Sequence, residues 1–394
     1  MGNKHHFVPQ FLLRHFSSDP SKKRISLFYL PTSQVIKNAS LKDQAYKKNI
    51  YGSDQILENY LRQTETKANL IIDKKILTER ICLTPEEEIL LKHFINLQIS
   101  RTPGKIETIQ KEFDKMTKII FRHDPRVKDF IDDFTIEIKS PYHLMIAMTL
   151  QITPVLFDLK MSLLKNNADQ HLLIGQHPAI VTNPFLYQKK WIGSKQGLGS
   201  KGTLILFPIS PRHAIALYDR KHYGLTDFTP IGILSQNDVN RINLFQFSYT
   251  TDCIYFYDDG GNIDFNGYKN ATEEFRVKDK TIVKAYKGRK LKDESTYYYA
   301  DGKDIDLRGY EVRNKTITMG KTSQGKIQKH WESELIMSTT KEPPVTPKFD
   351  FISLKVRAIF EDLGPTMDIS REGVMDVIDE VNALINAKKD LIRR

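Results

Sequence analysis

The sequence predicts an α+β protein. Helices come first and pack with an antiparallel sheet region; a basic, β-rich extension and a C-terminal amphipathic helix follow. Three observations predict this. Apolar residues recur at helical spacing from Ile56 to Ile72 and again from Ile89 to Leu97. Short β-type runs then appear between turns, at 172–174, 179–181, 203–207 and 214–218. Past residue 260 the composition becomes basic, and Val374, Val377, Ile378, Val381, Leu384 and Ile385 share one helical face. The expected domains are 1–260, 261–340 and 341–394, with the proline-rich 341–347 as a stiff linker.

Taken in order, the chain opens with Lys4-His5-His6-Phe7-Val8-Pro9, a short extended piece leading into a helix. Pro9 lacks an N–H and has a fixed φ, which suits the first helical position. Gln10 and Arg14, four apart, share one face of that helix, and Phe11, Leu12 and Phe16 another. Residues 25–30 and 34–40 read as two strands separated by Pro31-Thr32-Ser33. A helix follows from about Gln55 to Ile76, with Glu58, Arg62 and Glu65 on one face. Those carboxylates have two uses open to them: reaching toward His5 or His6, or a surface Glu58–Arg62 ion pair.

Thr84-Pro85-Glu86-Glu87 is a helix start with a capping box. Gln98 and Arg101, three apart near its end, form a buried anchor or the wall of a site, and Pro103 breaks the helix. Helix resumes to about Phe121, and residues 126–166 are expected to be helical again, with Pro141 starting and Pro154 bending the last helix. His123-Asp124 has no partner ligands at suitable spacing and reads as a turn before Pro125. The glycine-rich stretch 193–203 is not a phosphate loop: Gly202 follows Lys201 where Ser or Thr is needed, and a strand follows instead of a helix. Its Lys195 and Lys201 are available to an anionic ligand. Ser235 to Tyr249 reads as a helix carrying a row of amides, Asn240, Asn243 and Gln246, for structural anchoring or a ligand. Residues 253–257 form one more strand.

Bulk properties bound the function. Forty per cent hydrophobic with 27% charged residues is an ordinary soluble composition, which excludes a disordered chain. The formal charge of +11 favours an acidic partner such as nucleic acid, although solvated lysines give the same number. Cys82 and Cys253 form no metal or redox spacing, as in a reducing compartment. The polar start Gly2-Asn3-Lys4 lacks a signal core, and no run approaches the roughly 18 apolar residues of a membrane span. A cytoplasmic protein without a membrane partner is expected.

The opening is more specific than its composition. His-His-Phe-Val-Pro-Gln-Phe-Leu-Leu-Arg-His-Phe resembles the start of a bacterial and phage family, domain-of-unknown-function family 4238. Leu57-Glu58 through Glu65-Thr66-Lys67-Ala68 is similar to that family's helix with two spaced glutamates. Gln98-Ile99-Ser100-Arg101-Thr102-Pro103 resembles its Gln-x-x-Arg-Thr-Pro helix. Gln176-His177-Pro178, Asn183-Pro184 and the 207–212 run resemble its strand region, and Asn240, Asn243 and Gln246 its following helix. The similarity covers residues 3–260 and departs at Gln176, where an aspartate is expected. It implies a fold and a site and carries no activity.

The residues expected to form the site are His5, His6, Glu58, Glu65, Gln98 and Arg101. Neighbouring side chains in an extended piece face opposite ways, so His5 and His6 do not ligate one ion together. Two function classes stay open. In the first, the chain is a metal-assisted nuclease of microbial or phage conflict. His-His-x-Val-Pro resembles the first strand of His-metal finger nucleases, which implies a base and a ligand such as His6 for Mg²⁺, Mn²⁺ or Zn²⁺. Such nucleases also need an Asn and a second His nearby; Asn38 and Asn49 are present, but no His lies between His15 and His93. In the second, the chain is a non-catalytic sensor or ligand-binding protein with a buried His/Gln/Arg cluster. Residues 278–292, with Lys284, Lys287, Arg289, Lys290 and Lys292, read as a nucleic-acid face or as a solvated hairpin. The C-terminal helix either docks on the body or pairs copies of the chain into a homo-oligomer.

Overall fold

A computed structural model describes residues 4–51, 56–121, 126, 129–183, 198–199, 202–219, 223–225 and 231–273, with the strands at 287–290, 296–298 and 336–338. The chain divides into two compact units. One holds the described residues 4–102 and 142–273 and the strand at 336–338; the other holds the described part of 103–141 and the strands at 287–290 and 296–298.

The first unit is built from β1 (Lys4–His6), α1 (Gln10–His15), β2 (Arg24–Tyr29), β3 (Gln34–Ser40), β4 (Tyr46–Lys48), α2 (Ile56–Ile71) and α3 (Pro85–Ser100). β1 pairs antiparallel with β4, His5 opposite Lys47 and His6 opposite Tyr46. Pro9 is the N-cap of α1, with the helix starting one residue later than expected at Gln10. Leu12, Leu13 and Phe16 of this one short helical segment have no exposed surface. They pack with Leu91, Phe94 and Ile95 of α3 and with the sheet residues Ile205 and Phe207. Burying each such side chain contributes about 1.5–3 kcal/mol, so six residues of helix are held by packing more than by their own hydrogen bonds. The capping box at the start of α3 forms as the sequence implies: the Glu87 N–H donates to Thr84 Oγ1 and the Thr84 N–H to Glu87 Oε2.

α4 (Pro103–Phe121) belongs to the second unit, and α5 (Pro141–Ile152) follows, ending in a 3-10 turn at Thr153–Leu156 where Pro154 stops the helix. The helical expectation for 126–166 holds only over α5 and this turn: the described residues 129–140 carry no more than a 3-10 turn at Ile131–Asp133, and the expectation fails again beyond Leu156. Lys160–Asn166 is a strand, β5, paired on both edges. Its Leu163 and Leu164 are buried on opposite faces, so it shows no alternation to betray a strand.

β5 is the second strand of a five-stranded sheet, with β6 (Ile180–Thr182), β7 (Leu204–Ser210), β8 (His213–Tyr218) and β10 (Ile231–Leu234), in the order β10-β5-β8-β7-β6. The expected antiparallel pairing holds except between β10 and β5, which run parallel. β11 (Cys253–Phe256) joins β2 and β3 in a second, antiparallel sheet. The run at 172–174 contributes only a bridge, Ile174 to Tyr255. α6 (Gln236–Tyr249) has the Ser235–Asp238 capping box. Two of its amides bind backbone: Asn243 accepts from the Leu173 N–H and donates to the His171 carbonyl, and Gln246 does the same for Gly175 and Pro178, whereas Asn240 accepts from the Tyr268 hydroxyl. Asn243 and Gln246 take the place of a neighbouring strand along 171–178.

The body runs on past residue 260 into α7 (Phe265–Thr272), a helix absent from the sequence expectation. Phe265 stacks on Phe28 with centroids 4.9 Å apart. β9 (Tyr223–Leu225) pairs with β14 (Ile336–Ser338), and β12 (Lys287–Lys290) pairs with β13 (Thr296–Tyr298) as a two-stranded antiparallel ribbon. Lys195 and Lys201 of the glycine-rich stretch, the linker and the C-terminal helix lie outside the described residues. Among the described residues no helix is long and apolar enough to cross a membrane.

Candidate functional site

β1 turns His5 inward and leaves His6 half-buried, the alternation expected of an extended strand. His6 Nδ1 lies 2.9 Å from the Gln44 carbonyl oxygen and so must carry the proton. Its Nε2 is then the acceptor, and the Gln10 amide donates to it at 2.7 Å. Gln10 is oriented by Arg14, which donates to its Oε1 at 3.2 Å. Burial pushes the His6 pKa below its ordinary 6.5, helped by the charges of Lys4 and Arg101 and opposed by the Gln44 carbonyl. The imidazole is therefore neutral at pH 7, with one lone pair on Nε2.

His5 is set the other way. The Tyr51 backbone N–H donates to its Nδ1 at 3.1 Å, which puts the proton on Nε2. That nitrogen faces Glu58 Oε2 at 3.3 Å. The His5 ring stacks on the Tyr51 ring at 4.9 Å, and Tyr142 meets Tyr51 edge-on at 5.7 Å. Glu58 reaches His5 and not Arg62, whose guanidinium turns to Asn59.

The third part comes from α3 and its C-terminus. Arg101 is 1% exposed, and its Nη1 donates to Glu65 Oε1 at 2.6 Å. Its Nη2 donates to Gln98 Oε1 at 3.2 Å. Burial alone would lower the Arg101 pKa, but the Glu65 charge outweighs it and the pKa rises. Burial likewise pushes the Tyr51 phenol up to about 12, against the pull of Arg101 beside it. Contacts run from Tyr51, a residue the sequence reading missed, through His5 to Glu58 and through Arg101 to Glu65 and Gln98, while His6 turns to Gln44 and Gln10 on the other face of β1. The only signal for Tyr51 was an aromatic residue at the mouth of the loop before α2.

Other expected participants take structural roles. Asn38 and Asn49 adopt left-handed backbone at φ 57° and 55°, which asparagine tolerates better than most residues. Gln176 donates to Asp252 Oδ2 at 3.0 Å and accepts from the Asp252 N–H at 3.3 Å. An aspartate there would face Asp252, carboxylate to carboxylate. Lys287, Arg289 and Lys290 lie on β12. Lys284 and Lys292 fall outside the described residues.

Among the described residues no three His, Cys, Asp or Glu side chains stand together as a ready metal cage. Both ring nitrogens of His6 already have hydrogen-bond partners, so an ion there would displace the Gln10 amide. In comparisons with known proteins, the model of one family, described as a protein of unknown function (DUF4238), matches residues 4–260. No curated protein and no solved structure matches the chain.

Proposed function

We propose, for a chain that belongs to the DUF4238 family, that the His5/His6 cluster is the working site of a nucleic-acid-directed hydrolase acting in microbial or phage conflict. The observation that carries the reading is the state of His6. Its Nδ1–H is fixed on a backbone carbonyl, and its Nε2 lone pair is directed at a side-chain amide that can swing aside. A neutral imidazole held in this way can take a proton from water. His5 and Glu58 form a second, oppositely oriented pair, and Arg101 with Gln98 forms a buried floor. A divalent ion, Mg²⁺, Mn²⁺ or Zn²⁺, would be held by Glu58 together with water and oxygens of the substrate phosphate, since Mg²⁺ commonly takes only one or two carboxylates from protein. Such an ion stabilises charge on the phosphoryl oxygens.

His6→Ala is expected to lower cleavage of RNA or DNA by about 10²- to 10⁴-fold, the usual worth of a general base. The melting temperature should barely move, because His6 is half-buried at a strand end. Wild-type protein that cleaves neither nucleic acid with any of the three ions removes the reading. In that case the second class, a non-catalytic sensor, is favoured by one feature: both nitrogens of His6 and both terminal nitrogens of Arg101 are already engaged by protein.

The basic ribbon supplies a substrate-binding prediction. Each phosphate neutralised by a cationic side chain steepens the log–log salt dependence by about 0.9. Replacing Lys287, Arg289, Lys290 and Lys292 by Ser should therefore flatten the slope by about 3 in a fluorescence titration with labelled RNA. An unchanged slope assigns those residues to keeping a solvated β-ribbon unpaired at its edges.

A further inference from the structure

Four buried polar atoms in this cluster have no hydrogen-bond partner of good geometry: His5 Nε2, Tyr51 Oη, Gln98 Nε2 and Arg101 Nε. Their residues are all less than 5% exposed. Eleven such atoms occur among the described residues, so more than a third gather at this one place. Leaving a buried polar group unpaired costs about 1–3 kcal/mol, and four together need a reason.

The four share a chemical sense. Arg101 Nε–H is only a donor. Gln98 uses its Oε1 to hold Arg101, which leaves its NH₂ to donate. His5 Nδ1 accepts from the Tyr51 N–H, so its Nε2 carries the proton. The Tyr51 phenol is fully protonated at pH 7, since its pKa lies near 12. His5 Nε2, Gln98 Nε2 and Arg101 Nε are therefore donors only, and the Tyr51 hydroxyl, which accepts from the Arg101 beside it, keeps its own proton to donate, with the Arg101 charge behind them. Glu65 neutralises that charge in part, and Glu58 stands 3.3 Å from His5 Nε2, just outside a good hydrogen bond.

We propose that Tyr51 Oη, Gln98 Nε2 and Arg101 Nε, with His5 Nε2 at the edge, form a cradle for a phosphoryl oxyanion. The inference rests on the hydrolase reading for its source of phosphate and names the part of the substrate that this site takes. Fixed donors that meet a phosphoryl oxygen are unpaired until it arrives, which is how preorganised sites stabilise developing charge. Glu58 sets a limit on the ligand. It repels an anion that comes alone, so the cradle fills best when a cation or a proton accompanies the phosphate.

Two variants separate this from a structural role. Tyr51→Phe removes the hydroxyl but keeps the ring on His5 and the backbone N–H that sets its tautomer. Gln98→Glu keeps the acceptor for Arg101 and removes the two amide donors. Inorganic phosphate and dimethyl phosphate are titrated into the full-length protein with and without Mg²⁺, followed by calorimetry. Wild type should bind at least one of the two, and each variant should lose at least tenfold in affinity. Gln98→Glu should do so while its melting temperature holds or rises, because Arg101 gains a second carboxylate. Tighter dimethyl phosphate marks a diester as the source, and tighter inorganic phosphate marks a monoester. No binding of either by folded wild type, or equal binding by both variants, overturns the cradle and assigns the donors to internal water. Phosphate binding without nucleic-acid cleavage would sink the hydrolase reading and leave the cradle standing. Cleavage without any variant effect on phosphate would do the reverse.

Discussion

Glu65→Ala should lower the free energy of unfolding by about 3–5 kcal/mol, the usual cost of leaving one partner of a buried ion pair alone. Arg101 is the largest side chain that is almost fully buried, and Glu65 is the only carboxylate hydrogen-bonded to it among the described residues. Guanidinium does not deprotonate, so it cannot escape by shedding its charge. The variant must bury an uncompensated cation or open the cluster around Tyr51. Glu58→Ala should cost far less, because the Glu58 side chain is 42% exposed and water screens its contact with His5. Equilibrium urea unfolding of the two variants beside wild type measures the difference. A Glu65→Ala protein within about 1 kcal/mol of wild type would show that Arg101 has another way to be satisfied, and the ion pair would lose its place as the clamp of the site.

The second large effect is on acid stability. His93 of α3 is buried and fully used as a neutral ring. Thr153 Oγ1 already donates to the Thr149 carbonyl, so His93 Nδ1–H donates to Thr153 at 3.1 Å. His93 Nε2 therefore accepts from the Tyr60 hydroxyl. A proton added to Nε2 would oppose that hydroxyl, in a place where burial already pushes the pKa down to about 4. The folded state thus binds this proton less readily than the unfolded chain, whose His titrates near 6.5. The stability from neutral His93 is whole above pH 6.5 and is lost as pH falls toward 4. At about 1.4 kcal/mol per pH unit, the loss across that window is about 3 kcal/mol. Burial also lowers the pKa of His6, His15 and His171, which add in the same direction. Urea unfolding at pH 7.0 and 4.5 should show the slope, and His93→Gln should flatten it. Equal slopes in the two proteins would place the acid sensitivity elsewhere.

What the sequence determined by itself is what neighbouring residues decide. The capping boxes at Thr84 and Ser235, the break at Pro103 and the opposed faces of His5 and His6 all depend on residues within four positions of each other. The family-like motifs likewise marked His5, Glu58, Glu65, Gln98 and Arg101, which side-chain contacts link through Tyr51. Tertiary structure decided everything that depends on distance along the chain. Glu58 had Arg62 four residues away and chose His5, 53 residues back, because the fold brings the His5 ring within reach and a surface ion pair is worth only tenths of a kcal/mol. Lys160–Asn166 is a strand because two other strands meet its edges, and with both faces buried its apolar pattern carries no period. Tyr51 entered the site for the same reason: its backbone N–H, which no sequence pattern distinguishes from any other, is what fixes the tautomer of His5.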